Sequence, residues 1–185
     1  NTLALIKNNT MKKLITILAV FCSTLAFSQN STTLKSNDIV INPVALVLGA
    51  VNVEYERIIS ENSGIGVTTS FLLDDYIIDD NNGFSITPYY NYYFGKKRAN
   101  GFYIGGYCSI NSGDVEKSYY VSSQYGGYTM YTTEKETNFG VGFKFGGKWV
   151  VKNDIVLEIG TGLGRNFGGE NKVNTTGMLG IGKRF

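Results

Sequence analysis

The chain has 185 residues, 43% of them hydrophobic, and a formal net charge of +2. That length suits one domain with a sizeable core. With no histidine at any position, Ser-His and Cys-His nucleophiles and histidine-based metal centres are excluded. The basic excess implies no nucleic-acid partner, because it comes from the first segment of the chain.

Met11-Lys12-Lys13 opens a positively charged region, residues 14–21 are apolar, and Ala26-Phe27-Ser28 is a small-x-small cleavage site before Gln29. Residues 11–28 therefore read as a secretory signal peptide, and residues 1–10 as translation upstream of Met11. The apolar stretch 14–27 is shorter than the about 20 residues a spanning helix needs. Removing Lys7, Lys12 and Lys13 with this segment leaves 14 basic against 15 acidic side chains. Phe21 is too bulky for the residue before a lipidated Cys22. Only Cys108 then remains, so no internal disulfide can form. Residues 29–37 make a short N-terminal segment, and residues 38–185 are expected to form the folded domain.

From there the dominant period is two. Residues 51–56 (VNVEYE) and 65–71 (IGVTTSF) carry apolar side chains on odd positions. Residues 84–94 (FSITPYYNYYF) and 102–110 (FYIGGYCSI) carry them on even positions. Residues 139–145 (FGVGFKF), 155–163 (IVLEIGTGL) and 173–185 (VNTTGMLGIGKRF) return to odd. These are seven strands, and a single-chain bacterial barrel needs an even number. Residues 39–48 (IVINPVALVL) supply the eighth, although Pro43 inside a ladder lacks an N–H. Short connections at 60–63, 95–100 and 150–154 are expected at the periplasmic end. Longer ones at 74–83, 113–135 and 166–172 then face outside.

The expected fold is an all-β, eight-stranded antiparallel up-and-down transmembrane barrel. Its outer face carries Tyr92, Phe94, Phe102, Trp149 and Phe185 near one rim and Phe71, Phe84 and Phe139 near the other, the placement of interfacial aromatic girdles. Its inner face carries glycines and a charge network of Glu54, Glu56, Lys144, Lys148, Glu158 and Arg184. Pairing around the turn near Val151 sets Lys144 opposite Glu158. Buried charges are tolerable only when paired and hydrogen-bonded. A barrel of this size is just wide enough for side chains to fill, so the network reads as a plug built with Tyr89, Tyr93, Tyr103 and Tyr107.

Tyr125-Gly126-Gly127-Tyr128 resembles a two-residue hairpin turn. Pairing outward from it sets Lys117 opposite Glu136, Ile110 opposite Phe143 and Tyr107 opposite Gly146. The hairpin would project above the barrel with Tyr119, Tyr120, Tyr125, Tyr128 and Tyr131. Tyrosines supply rigid amphipathic contact area, and open edges can add a partner strand. The four carboxylates of residues 74–80 lack any established Ca²⁺-loop spacing and read as an acidic, solvated loop. Lys96-Lys97-Arg98 reads as a solvated turn. The GxG repeats line strand faces, because a phosphate loop needs a strand-to-helix context.

The signal peptide, the eight alternating segments and the terminal Gly180-Ile-Gly-Lys-Arg-Phe185 together resemble the OmpA/OmpX-like small outer-membrane β-barrel superfamily. Asn42-Pro43 and Val53-Glu54-Tyr55-Glu56-Arg57 add to the likeness. It implies a Gram-negative outer-membrane location and insertion by the outer-membrane assembly machinery. That machinery reads an aromatic-ended last strand, here Leu179, Ile181 and Phe185. The expected protein is a monomeric, non-enzymatic barrel with no cofactor, bedded in outer-membrane lipid and lipopolysaccharide. Its expected role is structural or adhesive, contacting an extracellular protein or glycan through residues 113–135. A narrow solute channel and a secreted soluble ligand-binding barrel are the alternatives.

Overall fold

The computed structural model describes residues 34–73, 83–123, 126–168 and 171–185. The expected upstream segment 1–10, signal peptide 11–28, acidic loop 74–80 and Tyr125 lie outside the described residues, as do the first five residues of segment 29–37. Ser36–Arg184 make one compact unit.

That unit is a closed antiparallel barrel of eight strands in sequence order. The strands are β1 (Asn37–Ile41), β2 (Ala50–Ile58), β3 (Ser63–Leu72), β4 (Phe84–Tyr93), β5 (Gly101–Ser123), β6 (Gly126–Val150), β7 (Ile155–Phe167) and β8 (Val173–Arg184). Each pairs with its neighbour in sequence, and β1 closes onto β8 through Asp38↔Arg184 to Ile41↔Ile181. No described helix is long and apolar enough to cross a membrane.

The first strand departs from expectation. It stops at Ile41, and Pro43–Val47 form a single helical turn, α1. The Asn42 side chain accepts from the Ala45 N–H at 3.1 Å and Pro43 occupies the first turn. Asparagine as N-cap followed by proline is a strong helix start, so the ladder loses no bond to Pro43. The second proline, Pro88, does sit in a ladder. β4–β5 pairing passes from Ile86↔Ile110 to Tyr89↔Tyr107 without the two pairs that Thr87 and Pro88 would make.

Two registers also differ. β5 and β6 pair from Gly101↔Lys148 to Ser123↔Gly126, so Tyr107 faces Gly142 and Ile110 faces Phe139, while Lys117 faces Thr132. Each partner lies four residues from the one set by the Gly126-Gly127 register, an even slip that keeps every side chain on its expected face. β6 and β7 pair Lys148, not Lys144, with Glu158. The connection there is a 3₁₀ turn, Lys152–Asp154, in which Asn153 has φ +60°. The turn is centred two residues later than the one expected near Val151, which sets Lys144 opposite Gly162.

Polarity is inverted relative to a soluble domain. Phe102, Ile104, Phe143, Phe145, Leu163 and Ile159 are exposed on the outer face. Aromatic pairs border this band at both ends. Phe71–Phe84 and Phe139–Phe167 lie at the long-loop end, Tyr92–Phe94 and Phe102–Trp149 at the short-turn end. Eight residue steps separate Phe84 from Tyr92. At about 3.4 Å each and a tilt of about 40°, they span about 21 Å of barrel axis, close to the about 25 Å apolar band of such barrels.

Candidate functional site

Alternation converges charged side chains from five strands on the lumen at the short-turn half. Asp38 (β1), Glu54 and Glu56 (β2), Lys144 and Lys148 (β6), Glu158 (β7) and Arg184 (β8) are all buried. Lys148 is the hub. Its ammonium lies 2.9 Å from Glu56 Oε2, 3.0 Å from Glu158 Oε2 and 3.3 Å from Glu54 Oε1. Lys144 reaches Glu54 at 3.4 Å and sits 3.7 Å above the centre of the Tyr89 ring. The six residues singled out from sequence thus share one lumen, but Arg184 does not touch the lysines. It donates to Asp38, whose carboxylate is 3.9 Å from Lys148.

Asp38 is the member that sequence reading missed. It stands at the edge of the alternating region, and its even position, shared with Val40, was the available signal.

Four carboxylates share this space with three cations, so neutral donors must complete the balance. Glu56 accepts from Tyr93 Oη at 2.7 Å, Tyr89 Oη at 3.0 Å and Asn91 Nδ2 at 3.2 Å. Tyr103 donates to Glu158 at 2.8 Å and Thr68 to Glu54 at 3.0 Å. Buried carboxylates are sustainable only when satisfied in this way. A cavity bordered by Glu54, Tyr103, Lys144 and Met178 measures ≈ 10 Å³, room for about one water.

The tyrosines need glycine opposite them. A Cβ at Gly146 would lie 2.8 Å from Tyr103 Oη, and one at Gly142 would lie 2.6 Å from Tyr107 Oη. The lumen is also partly apolar, since Val40, Val156 and Met178 pack together inside it.

Above the network the lumen widens into a cup of ≈ 750 Å³ bordered by Ser70, Asn111, Asn138, Asn166 and Asn174 among others. Its floor is a hydrogen-bond chain. Tyr107 donates to Asn174 Oδ1 at 2.8 Å, and Asn174 donates to Ser109 at 2.9 Å and to Asn166 at 2.7 Å.

The hairpin extends beyond the last pairs with neighbouring strands, Phe84↔Ser112 and Phe139↔Phe167. Tyr119, Val121, Tyr128 and Met130 share the face that continues the lumen wall, and Tyr120 and Tyr131 share the other. All six are exposed. Lys117 bonds Glu134 at 2.7 Å. The turn residues Lys96 and Lys97 are exposed as expected, but Arg98 is not simply solvated. Its backbone carbonyl accepts from Arg184 at 2.8 Å, and Arg98 Nη2 donates to Ser36 at 3.1 Å. Leu179 and Ile181 lie exposed on the outer face of β8, which Phe185 follows directly.

Among solved structures, the chain is similar to the outer-membrane protein Ail of Yersinia pestis in a phospholipid bilayer nanodisc. Identity is 16%, covering 82% of this chain and 100% of that one, with a TM-score of 0.47. The crystal structure of Ail, the attachment invasion locus protein, matches at 14% identity over 82% and 100% of the chains, TM-score 0.46. The N-terminal β-barrel domain of Pseudomonas aeruginosa OprF matches at 12% over 82% and 98%, TM-score 0.44. No curated protein matches the chain. The family model described as "Protein of unknown function (DUF3575)" matches residues 14–177. The chain belongs to this family, DUF3575.

Proposed function

We propose that the protein is an integral outer-membrane barrel of a Gram-negative cell, exported through a cleaved signal peptide, with a plugged lumen and an outward hairpin that contacts an extracellular protein or glycan. The observation that carries this reading is the inverted polarity. Exposed apolar side chains between two aromatic girdles suit lipid, and an exterior of this kind would aggregate in water. A secreted soluble ligand-binding barrel needs the opposite arrangement, with its apolar face inward.

The short turns then face the periplasm and the β5–β6 hairpin faces outside. Ionic and tyrosine contacts around Lys148 support the plug, since no solute larger than water fits the cavity beside Lys144. A two-stranded ribbon with apolar side chains exposed on both faces is marginal in water, which favours its use as a contact surface. Lipid and lipopolysaccharide surround the barrel in this reading. The outer-membrane assembly machinery engages Leu179, Ile181 and Phe185, and the barrel works as a monomer without enzymatic activity.

Heat-modifiable migration on gels and solubility only in detergent are the expected outcomes. A protein soluble without detergent overturns the membrane reading. Steady conductance of the purified protein in planar bilayers would replace the plug with a narrow solute channel. Deleting residues 118–133 should leave the barrel folded and abolish surface adhesion. Unchanged adhesion removes the hairpin role.

A further inference from the structure

The two ends differ in net charge, although Glu61 and Asp154 lie among the cations of the short-turn end and Lys117, Lys135, Arg165 and Lys172 among the carboxylates of the other. At the short-turn end, Arg57 closes β2 on its outer face, Lys96 and Lys97 lie in the β4–β5 turn, and Lys152 lies in the β6–β7 turn, all four exposed. None of the four has a side-chain hydrogen bond or ion pair among the described residues. Lys183, at the same end, donates to the Asn153 carbonyl at 2.6 Å. The opposite end carries Asp114, Glu116, Glu134 and Glu136, and the sequence adds Asp74, Asp75, Asp79 and Asp80 to the loop there. With basic and acidic residues nearly balanced over 29–185, this is a dipole along the barrel and not a general excess of either sign.

The turns that carry these lysines leave strand ends that bear aromatic side chains. β5 and β6 pair from Gly101↔Lys148, so the turns carrying Lys96, Lys97 and Lys152 are neighbours. The Phe102–Trp149 pair, centroids 5.8 Å apart, lies at the strand ends from which both turns leave. Amphipathic aromatic rings settle at the headgroup level of a bilayer. Lysines one turn beyond them therefore sit at the depth of the lipid phosphates, where their reach and charge match a negative headgroup. A zwitterionic headgroup brings its own ammonium and gains little from them.

We propose that Lys96, Lys97 and Lys152, around Trp149, form a binding site for anionic phospholipid headgroups of the periplasmic leaflet. Arg57 continues the same collar around the barrel. The inference rests on the membrane reading above and adds a lipid preference to it.

Trp149 is the chain's single tryptophan and therefore an intrinsic reporter of the site. The full-length protein is reconstituted in phosphatidylcholine vesicles containing chain-brominated phosphatidylglycerol or chain-brominated phosphatidylcholine, and quenching of Trp149 is compared. The expected result is about fivefold preference for phosphatidylglycerol at low salt, lost in 0.5 M NaCl. The triple variant Lys96→Gln, Lys97→Gln, Lys152→Gln should bring the ratio to about one. Heat-modifiable migration confirms that this variant folds; if it does not, the salt series on the unmodified protein decides. Equal quenching by both lipids, or a preference that survives the triple variant, overturns the lipid site and leaves the membrane reading standing. Quenching by neither lipid overturns both.

Discussion

Arg184 and Asp38 lock the seam of the barrel, the guanidinium donating from Nε to Oδ1 at 2.7 Å and from Nη2 to Oδ2 at 2.8 Å. The same side chain reaches the carbonyls of Arg98 and Ala99 at 2.8 and 2.9 Å. One residue thus holds the last strand to the first and to the turn beneath the lumen. Removing one partner of a buried pair leaves an uncompensated charge. Arg184→Ala or Asp38→Ala should each cost about 3–5 kcal/mol. In a double-mutant cycle the pair of changes should cost clearly less than the sum. Urea unfolding in detergent micelles measures both, and additive costs would mean that the two side chains do not interact.

The two lumen lysines should behave differently. Lys148 touches Glu54, Glu56 and Glu158 within 3.3 Å, whereas Lys144 reaches only Glu54, at 3.4 Å. Lys148→Met strands three carboxylates and should cost about 3–5 kcal/mol. Lys144→Met, with a flexible apolar chain over the same tyrosine ring, should cost distinctly less. Equal unfolding free energies for the two variants would contradict the hub role of Lys148.

Glycine tolerance should follow the tyrosines. A Cβ at Gly146 would press on Tyr103 Oη at 2.8 Å and on the Gly160 Cα at 2.7 Å, while one at Gly106 would find its nearest atom at 4.0 Å. Gly146→Ala should lose about 1–3 kcal/mol through overpacking. Gly106→Ala, on the open outer face, should change stability by less than about 0.5 kcal/mol. Thermal or urea unfolding of the two variants side by side checks the ranking.

The hairpin offers a titration outside the barrel. The hydrogen bond from Lys117, then its charge, holds the Glu134 carboxyl below the usual carboxylate range, with Tyr119 adding a second bond. A lowered folded value means the contact contributes above the ordinary carboxylate pKa and is lost as pH falls through the lowered one. NMR titration of the Glu134 side chain should show a depressed midpoint, and Lys117→Gln should return it toward the ordinary range. An unchanged midpoint in that variant would place the cause elsewhere.

Periodicity alone determined the wall of this protein. Each of the seven strands read by alternation presents the expected parity to the lumen, because a side-chain period of two leaves no third face and lipid and lumen demand opposite polarity. That is why the buried set of Glu54, Glu56, Lys144, Lys148, Glu158 and Arg184 was legible before any contact was known. Register was not legible, because glycines recur every second residue at 140 and 142 and again at 146. Tyr107 finds a glycine opposite it in the structure's register and in the one drawn from Gly126-Gly127. A slip of four residues changes partners without changing faces, so only the closed barrel could choose between them. Tertiary structure likewise shortened β1, because Asn42 and Pro43 cap a helix more readily than they extend a ladder. It also brought Asp38 to Arg184 from the far end of the chain and made Lys148 the centre of the lumen. Local chemistry sorts side chains between two faces, whereas partners within a face depend on where eight strands meet.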